Sequence, residues 1–240
     1  MGAGLEVRAF RYTPGVSEPA RVCAFDAVIF DLDGVLLDSE PIYLAATNSV
    51  LAREGKHLSP EENARYIGVR YRDMLADIIP RMGLAHGADY YVDQTRDEVL
   101  RAFGRPLTPP PGARELIERL ADHDVPRAVG SSSVHAWVDQ VLTNLGVREH
   151  FPIVVGGDEV EHGKPAPDIF LKCAELLGVP PERCAVIEDS PNGVLAARRA
   201  GMTAIGYRTA ATSTLVLEGC LAVVDSFHEA AGHLGVTLDP

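Results

Sequence analysis

Short runs of apolar residues alternate with longer amphipathic stretches along most of this chain. Each apolar run has the length of a β-strand and is followed by a polar or glycine-rich turn. The stretches between the runs place apolar side chains three or four residues apart, as a helix with one buried face requires. The predicted strands are Ala27–Phe30, Val125–Val129, Ile153–Val155, Cys184–Ile187, Thr203–Ile205 and Leu221–Val224, and the predicted helices among them are Ala113–His123, Val134–Leu145, Asp168–Leu177 and Gly193–Ala200. We therefore expect an α/β fold, a doubly wound parallel sheet with helices on both faces.

One long segment interrupts this alternation. Between residues 41 and 105 the pattern predicts amphipathic helices but no strand, and glycines and a proline separate the helices. The helices are predicted at Ile42–Arg53, Tyr71–Ile79 and Tyr90–Phe103. A proline-rich stretch that begins at Pro106 ends the segment, because proline cannot continue a helix. We interpret the segment as a small helical domain inserted after the first strand.

The insert divides the rest of the chain. Residues 23–40 and 106–240 carry the predicted strands and form one α/β core, with residues 41–105 as the inserted helical cap. Residues 1–22 contain several glycines and prolines but no sustained periodicity, so we expect an N-terminal extension outside the core. This division predicts two domains with a crevice between them, and Pro106–Gly112 is a candidate hinge.

Composition and charge narrow the class of protein. Of the 240 residues 46% are hydrophobic and 23% charged, a mix typical of a globular protein with a buried core. The formal net charge of −12 repels nucleic acid and anionic membrane surfaces. No apolar run reaches the roughly 18 residues of a membrane span, the N-terminus lacks the apolar stretch of a signal peptide, and the four cysteines show no CxxC spacing. We expect a cytoplasmic protein, favour a monomer, and expect neither nucleic acid nor a membrane as partner.

Acidic side chains follow two of the predicted strands. Asp31 and Asp33 follow the first strand, and Glu188 and Asp189 follow the fourth. In an open α/β sheet, ligands bind beyond the carboxyl ends of the strands. If these strands are neighbours, up to four carboxylates share one crevice, where they repel one another unless a cation neutralises them. Mg²⁺ prefers such oxygen ligands, so the sequence predicts a magnesium site at Asp31, Asp33, Glu188 and Asp189.

Groups that suit an anion follow two other strands. Ser131 and Ser132 precede a predicted helix, whose free backbone N–H groups and neighbouring hydroxyls form an anion site. Lys164 follows another strand and adds a positive charge on a turn stiffened by prolines. Carboxylates, a metal, a helix N-terminus and a lysine together suit a phosphoryl group. Other polar residues beside the strands, Asp38, Ser39 and Asp168, are interpreted as turn formers or helix N-caps.

Cap residues near a predicted turn at Gly68 are candidates for contact with the part of a substrate outside its phosphoryl group. They are Tyr66, Arg70, Tyr71 and Arg72. An arginine at this place would bind a second anionic group, such as a carboxylate or a phosphate, and we assign Arg70 to substrate binding on that ground. The alternative is that these side chains form an ordinary solvated surface.

The same residues resemble, in order and spacing, the four motifs of the haloacid dehalogenase superfamily. The sequence AVIFDLDGVLLDSE at residues 27–40 resembles the first motif, and Ser131 after RAVG resembles the second. Lys164 in GKPAPD resembles the third, and VIEDSPNGVLAARRAGM from Val186 resembles the fourth. A helical insert directly after the first motif is similar to the subfamily with an α-helical cap, which contains sugar-phosphate phosphatases and beta-phosphoglucomutase.

The resemblance implies a chemical role for each matching residue. It makes Asp31 the nucleophile and Asp33 the general acid and base, and it places Ser131 and Lys164 on the phosphate. True dehalogenases lack the second aspartate, so Asp33 argues against dehalogenation. The implied activity is a magnesium-dependent phosphatase that hydrolyses a small phosphate monoester, a sugar phosphate or related metabolite, through an aspartyl-phosphate.

The resemblance also implies how the metal is held. Asp31, the backbone carbonyl of Asp33, and Asp189 would hold Mg²⁺, with Glu188 beside them as ligand or as support for a ligand. The metal would leave room for a substrate phosphate, because Mg²⁺ commonly takes only one or two carboxylates.

Two other functions stay open beside the phosphatase. A phosphomutase would pass the phosphoryl group to another hydroxyl, but the positions where beta-phosphoglucomutases carry cap histidine, lysine and arginine hold Tyr43, Ile67 and Tyr71, and Val134 replaces a core lysine. A non-catalytic phosphate-binding protein is less favoured, because binding alone would not require the pair of aspartates. A small-molecule phosphate ester is the expected partner in every case.

Overall fold

The computed structural model describes residues 22–103, 107–209, 212–213 and 215–238. The strands are β1 (Ala27–Phe30), β2 (Arg127–Gly130), β3 (Ile153–Val155), β4 (Cys184–Glu188), β5 (Thr203–Tyr207) and β6 (Ala222–Val224). The helices are α1 (Glu40–Leu51), α2 (Pro60–Asn63), α3 (Tyr71–Met82), α4 (Ala88–Phe103), α5 (Ala113–Asp122), α6 (His135–Asn144), α7 (Asp168–Leu177), α8 (Pro191–Arg199) and α9 (Phe227–Leu234). Within the described ranges, none of these helices has the length and hydropathy needed to cross a membrane.

The strands form one parallel sheet in the order β3-β2-β1-β4-β5-β6. This confirms the predicted α/β fold class. The strand order reverses between β1 and β4, which pair directly with Phe30 opposite Ile187. In a doubly wound sheet this reversal opens a crevice beyond the carboxyl ends of the two strands. The residues that follow β1 and β4 therefore meet at the crevice.

Helices cover both faces of the sheet. Along β1 the fully buried side chains alternate, because successive residues of a strand point to opposite faces. Val28 and Phe30 belong to the cluster formed with α5, α6 and α9. Ala27 and Ile29 belong to the cluster formed with α7 and α8. A central strand buried on both faces explains why its sequence is apolar throughout rather than alternating.

Helices α1 to α4 lie between β1 and β2 in the chain, and α1, α3 and α4 share a separate buried cluster. Its members include Leu51 from α1, Leu75 and Ile78 from α3, and Tyr91 from α4. No strand lies in the described part of the predicted cap, residues 41–103. The predicted extension at residues 1–22 falls almost wholly outside the described residues, as does the junction at 104–106. The division into domains stays a prediction.

Several elements differ from the predicted bounds. Helix α3 passes Pro80 and ends at Met82, because the left-handed Gly83 ends it and returns its N–H to the carbonyl of Ile79. Strand β2 begins two residues later than expected. The N–H of Val125 is bonded to the carbonyl of Leu120, so this residue closes the turn after α5 instead of joining the sheet.

Helix α9 is missing from the predicted elements. The hydroxyl of Ser226 accepts from the backbone N–H of Glu229 and caps the first turn. Phe227, Ala230, Ala231 and Leu234 form its buried face at helical spacing. A capping serine followed by this spacing was the available signal in the sequence.

Leu116→Ala tests the buried face of α5. Leu116 is fully buried at 0% exposure, so its truncation is expected to lower the free energy of unfolding by about 2–5 kcal/mol. Leu176→Ala is the matched control, because Leu176 on α7 is 52% exposed, and its effect should stay within about 0.5 kcal/mol. Urea unfolding of both variants measures the difference, and equal losses would contradict the packing described here.

Candidate active site

Three carboxylates meet where β1 and β4 end. Asp31 continues the pairing of the two strands by donating its N–H to the carbonyl of Ile187 at 3.0 Å. One carboxylate oxygen from each of Asp31, Glu188 and Asp189 lies within 4.8 Å of the others. All three residues are buried. The pairing of β1 with β4 thus brings together three of the four side chains in the predicted metal site.

Lys164 lies among these carboxylates. Its Nζ donates to Oδ1 of Asp31 at 2.6 Å and to Oε1 of Glu188 at 2.8 Å, and it lies 4.8 Å from the ring centroid of Phe170. The side chain of Lys164 is 1% exposed. Burial opposes the charge, but the two carboxylates outweigh burial and raise the pKa of Lys164 above its usual value. Lys164 is therefore a permanently charged group inside the site.

For Asp31, burial outweighs the neighbouring opposite charge in setting the pKa. Burial raises the pKa of Asp31 to about 8, with further upward contributions from Glu188 and Asp33, although Lys164 pulls the pKa down. Burial thus opposes ionisation of Asp31, and Lys164 favours it. A nucleophilic carboxylate must be ionised, so a further positive charge is needed beside Lys164.

The donor set fits a hard divalent cation. Buried carboxylate oxygens on three residues supply the ligands that Mg²⁺ prefers. The backbone is shaped around two of them, because a Cβ added to Gly34 would overlap Oδ2 of Asp189, and a Cβ added to Gly193 would overlap Oε1 of Glu188. The second oxygen of Glu188 accepts from the backbone N–H of Ser190 at 2.6 Å. Asp31, Glu188 and Asp189 would hold the ion.

Asp33 lies outside this cluster, and its carboxylate accepts hydrogen bonds from hydroxyl groups. Ser39 donates to Oδ1 of Asp33 at 2.5 Å, while Ser131 and Ser133 donate to Oδ2 at 3.0 Å and 2.8 Å. The hydroxyl of Tyr43 lies 3.0 Å from that of Ser133. Three donors thus fix the Asp33 carboxylate in one orientation beside the carboxylate of Asp31. The side chain of Asp33 is not part of the carboxylate cluster formed by Asp31, Glu188 and Asp189.

Ser39 corrects a sequence interpretation. It was expected to act only as a turn former or helix cap, and it does occupy the N-cap position of α1. Its side chain makes no capping hydrogen bond, however, and is bonded to Asp33 instead. The spacing of six residues between the two gave no local signal, because only the turn after β1 brings them together.

A cavity lies between the strand ends and helices α1 to α3. The volume open to the centres of water molecules is about 70 Å³. The charged side chains of its lining are Asp31, Asp33 and Lys164, and Ser132 and Ser133 from the β2–α6 turn lie beside them. The remaining lining residues come from the predicted cap and are uncharged: Tyr43, Thr47, Asn63, Tyr66, Gly68, Val69, Tyr71 and Met74.

Four cap residues were predicted to contact the substrate. In the structure the two tyrosines and the two arginines among them lie in different places. Tyr66 and Tyr71 line the cavity. Arg72 pairs with Asp89 on the surface of the cap, and the guanidinium of Arg70 is turned towards backbone carbonyls of the core. Within the described residues, neither arginine is part of the cavity lining.

Tyr43, Thr47 and Met74 also line the cavity but were not predicted as substrate contacts from the sequence. Tyr43 and Thr47 are four residues apart on α1, and Met74 lies three residues after the predicted Tyr71 on α3, so each pair lies on one helix face. Such spacing marks a helix face but does not show whether the face meets a core or a cavity. The signal was therefore ambiguous.

Comparisons with known proteins agree with this geometry. The family model for haloacid dehalogenase-like hydrolases matches residues 28–207. A phosphorylated carbohydrates phosphatase of Thermotoga maritima is 34% identical over 180 residues, which is 75% of this chain and 83% of that protein. A fructose-1-phosphate phosphatase of Escherichia coli is 34% identical over 185 residues, 77% of this chain and 97% of that protein.

A solved structure is also similar. A mutant of CbbY from Rhodobacter sphaeroides, in complex with xylulose-(1,5)bisphosphate, superposes with a TM-score of 0.80 and 26% identity, covering 89% of this chain and 100% of that chain. The fold and the strand-end site define an α/β hydrolase with a helical insert. The chain belongs to the haloacid dehalogenase-like hydrolase family, which confirms the predicted family and the predicted enzyme class, a phosphoric monoester hydrolase.

Gly34→Ala tests the close packing of the backbone against Asp189. Gly34 has φ +79 and Gly83 has φ +65, so alanine at either position costs about 1–2 kcal/mol of backbone strain. Only at Gly34 does the new Cβ overlap a carboxylate, which adds about 1–3 kcal/mol of overpacking. Urea unfolding is expected to show a larger loss for Gly34→Ala than for the control Gly83→Ala, and equal losses would contradict this packing.

Proposed function

We propose that this protein is a magnesium-dependent phosphatase that hydrolyses a small phosphate monoester with a neutral, hydroxyl-bearing leaving group. The observation that carries the proposal is the placement of Asp31, Asp33 and Lys164 on the wall of one cavity, with Lys164 2.6 Å from Asp31. A nucleophile, a proton carrier and a fixed positive charge are the groups that transfer of a phosphoryl group requires.

In the first step Asp31 attacks the phosphorus atom of the bound ester. The bond between phosphorus and the ester oxygen breaks, and Asp33 gives its proton to that oxygen, so the alcohol leaves and Asp31 carries the phosphoryl group. The hydroxyls of Ser131 and Ser133 hold the carboxyl group of Asp33 in place for this transfer. Lys164 stabilises negative charge on the phosphoryl oxygens.

In the second step water replaces the carboxylate. Asp33, now ionised, takes a proton from a water molecule whose oxygen attacks the phosphorus atom. The bond between phosphorus and Asp31 breaks, and inorganic phosphate leaves. Asp33 again holds a proton and Asp31 is again a free carboxylate, so the site is restored without any further reactant.

The metal would be held by Asp31, Glu188 and Asp189, whose carboxylate oxygens lie within 4.8 Å of one another. When bound, Mg²⁺ neutralises the negative charge that accumulates between the carboxylates and the phosphoryl group. The charge of a bound cation would also offset the burial that raises the pKa of Asp31 and so would favour the ionised nucleophile.

The cap side of the cavity supports the substrate class. It offers hydroxyl groups, an amide and aromatic rings, but no charged side chain among the described residues that line it. Such a surface binds a polyol through hydrogen bonds and ring stacking. It cannot offset a second phosphate or a carboxylate on the leaving group, since burying an unpaired charge is costly. The similar phosphatases act, by their names, on phosphorylated carbohydrates and on fructose 1-phosphate.

The proposal also covers the oligomeric state, the cellular location and the partner of the enzyme. Every group used in the two steps belongs to one protomer, so we propose that a monomer is active. The four cysteines are free thiols, as expected in the reducing cytoplasm, where we place the reaction. Since the site accounts for all the chemistry, a small-molecule ester is the only partner that the proposal needs.

Asp31→Asn tests the nucleophile. We expect release of inorganic phosphate from fructose 1-phosphate to fall at least about a thousandfold, because the amide oxygen cannot form the covalent intermediate. Removing Mg²⁺ with a chelator should abolish the wild-type activity, and adding Mg²⁺ back should restore it. Mass spectrometry of rapidly quenched wild-type enzyme should find a phosphoryl group on Asp31.

Asp97→Asn is the matched control, because Asp97 lies on the cap surface with its side chain 68% exposed. It should retain full activity. If Asp31→Asn kept its turnover, the covalent mechanism would be wrong. If the wild type kept its turnover in chelator, the metal assignment would be wrong.

A substrate panel tests the neutral cap surface. Fructose 1-phosphate and sorbitol 6-phosphate are compared with phosphoglycolate and fructose 1,6-bisphosphate, which bring an additional negative charge to the cap. We expect kcat/KM to be at least about tenfold higher for the neutral leaving groups, equivalent to about 1.4 kcal/mol. A preference for the charged substrates would overturn this substrate class. Formation of glucose 6-phosphate from beta-glucose 1-phosphate would instead favour the phosphomutase.

A further inference from the structure

The side chain of Arg70 joins the cap to the core. Its Nε and Nη2 donate to the two carboxylate oxygens of Asp73 at 2.8 and 3.2 Å, within the first turn of α3. Its Nη1 donates to the carbonyls of Val160 and Glu161, at 3.3 and 3.1 Å. The guanidinium thus links a cap helix to the loop between β3 and α7. The side chain of Arg70 is only 21% exposed.

The core loop is shaped to receive this side chain. A Cβ added to Gly163 would lie 2.5 Å from Nε of Arg70, and a Cβ added to Gly157 would lie 3.2 Å from its Cγ. Any larger residue at Gly163 would therefore meet the arginine. The two glycines form a groove in which the stem of Arg70 lies, so the contact involves packing as well as hydrogen bonds.

The same loop carries Lys164. The carbonyls that accept from Arg70 lie three and four residues before the lysine, and Gly163 directly precedes it. Lys164 is the buried cation on which the Asp31 carboxylate depends. A bond that ties this loop to the cap therefore acts on the position of the lysine without touching the substrate.

The cap loop before Arg70 reaches two further loops of the site. The carbonyl of Gly68 accepts from the hydroxyl of Ser132 at 3.2 Å. A Cβ on Gly68 would overlap the hydroxyl of Ser190, which caps α8 beside Glu188 and Asp189. One short cap segment thus contacts the loops after β2, β3 and β4, each of which supplies a group to the site.

We infer that Arg70 is a positioning residue, which locks the cap onto the β3–α7 loop and so holds Lys164 in its place beside Asp31. This inference rests on the proposed phosphatase function, and it gives Arg70 a role different from the substrate contact expected from the sequence. Arginine suits the task because its planar guanidinium serves Asp73 and two carbonyls at once, which the single nitrogen of a lysine cannot do.

The protein contains its own reporter of this contact. Trp137, on α6 of the core, is the single tryptophan of the chain and is buried. Its ring lies 5.9 Å from that of Tyr43 and 6.4 Å from that of Tyr71, measured between centroids, and both tyrosines come from the cap. Loosening of the cap would expose the indole, so acrylamide quenching of its fluorescence measures closure without any substrate.

Arg70→Met and Gly163→Ala test the inference from its two sides. Arg70→Met removes the guanidinium, and Gly163→Ala fills the groove at a position where the backbone itself tolerates alanine. Each is expected to lower kcat about 10- to 100-fold and to raise the quenching constant of Trp137. The double variant should be no worse than the worse single variant, because both changes disrupt the same contact.

Matched controls separate this contact from general damage. Arg72→Met removes an arginine two residues away whose side chain is 59% exposed, and Gly87→Ala adds a methyl group where no atom lies within 4 Å. Both should behave as wild type. Arg70→Lys keeps the charge but not the geometry, so it should stay impaired, and thermal unfolding of each variant checks that it folds.

The outcomes distinguish the inference from its alternatives. A rise in KM with unchanged kcat for Arg70→Met would show a substrate contact and overturn a positioning role. Additive effects of Arg70→Met and Gly163→Ala would also overturn the positioning role. Wild-type behaviour of Arg70→Lys would overturn it as well. If no variant, nor the wild type, released phosphate, the proposed function would fail, while the quenching data would still decide whether Arg70 holds the cap closed.

Discussion

The ion pairs of Lys164 with Asp31 and Glu188 are the interaction on which the rest of the site depends. An ammonium buried among carboxylates is stable only if its partners stay within hydrogen-bond distance, here 2.6 and 2.8 Å. The three residues come from the ends of β1 and β4 and from the loop after β3. They meet because β1 and β4 are neighbours in the sheet and the β3–α7 loop folds back over both. The fold and the site therefore depend on the same strand pairing, because the parallel pairing that buries the core also brings these charges together.

The hydroxyl groups around Asp33 complement this charged cluster. Asp31 and Asp33 are two residues apart, yet the first is bonded to an ammonium and the second to three serine hydroxyls. Two identical side chains thus have different surroundings, which is how one site assigns different roles to two carboxyl groups. The turn after β1 makes this possible, because Gly34 adopts φ +79 and lets the chain reverse beside Asp189.

The sequence predicted the parts of the molecule that repeat or that follow a strand. Parallel strands buried on both faces are recognisable as apolar runs, and Asp31, Lys164 and Glu188 were found because they follow such runs. Ser39 was misjudged, since its partner Asp33 is fixed by the turn after β1. The contacts of Arg70 with the core could not be predicted either, since they depend on the docking of the cap. Periodicity along one chain records which face of an element is buried. Periodicity does not show which residue of another element a polar side chain contacts.

The distribution of charge explains why the proposed reaction combines a neutral cap surface with a metal held by the core. At the strand ends four carboxylates face one ammonium, so the crevice as built repels a phosphoryl dianion. In the proposed reaction a bound divalent cation would reverse that balance beside the phosphoryl group. A cationic cap would add attraction for substrates with a second anionic group and would compete for the same carboxylates. With Arg70 and Arg72 turned to Asp73, Asp89 and backbone carbonyls, the described cap residues that line the cavity are uncharged, which leaves the recognition of charge in the proposed reaction to the core.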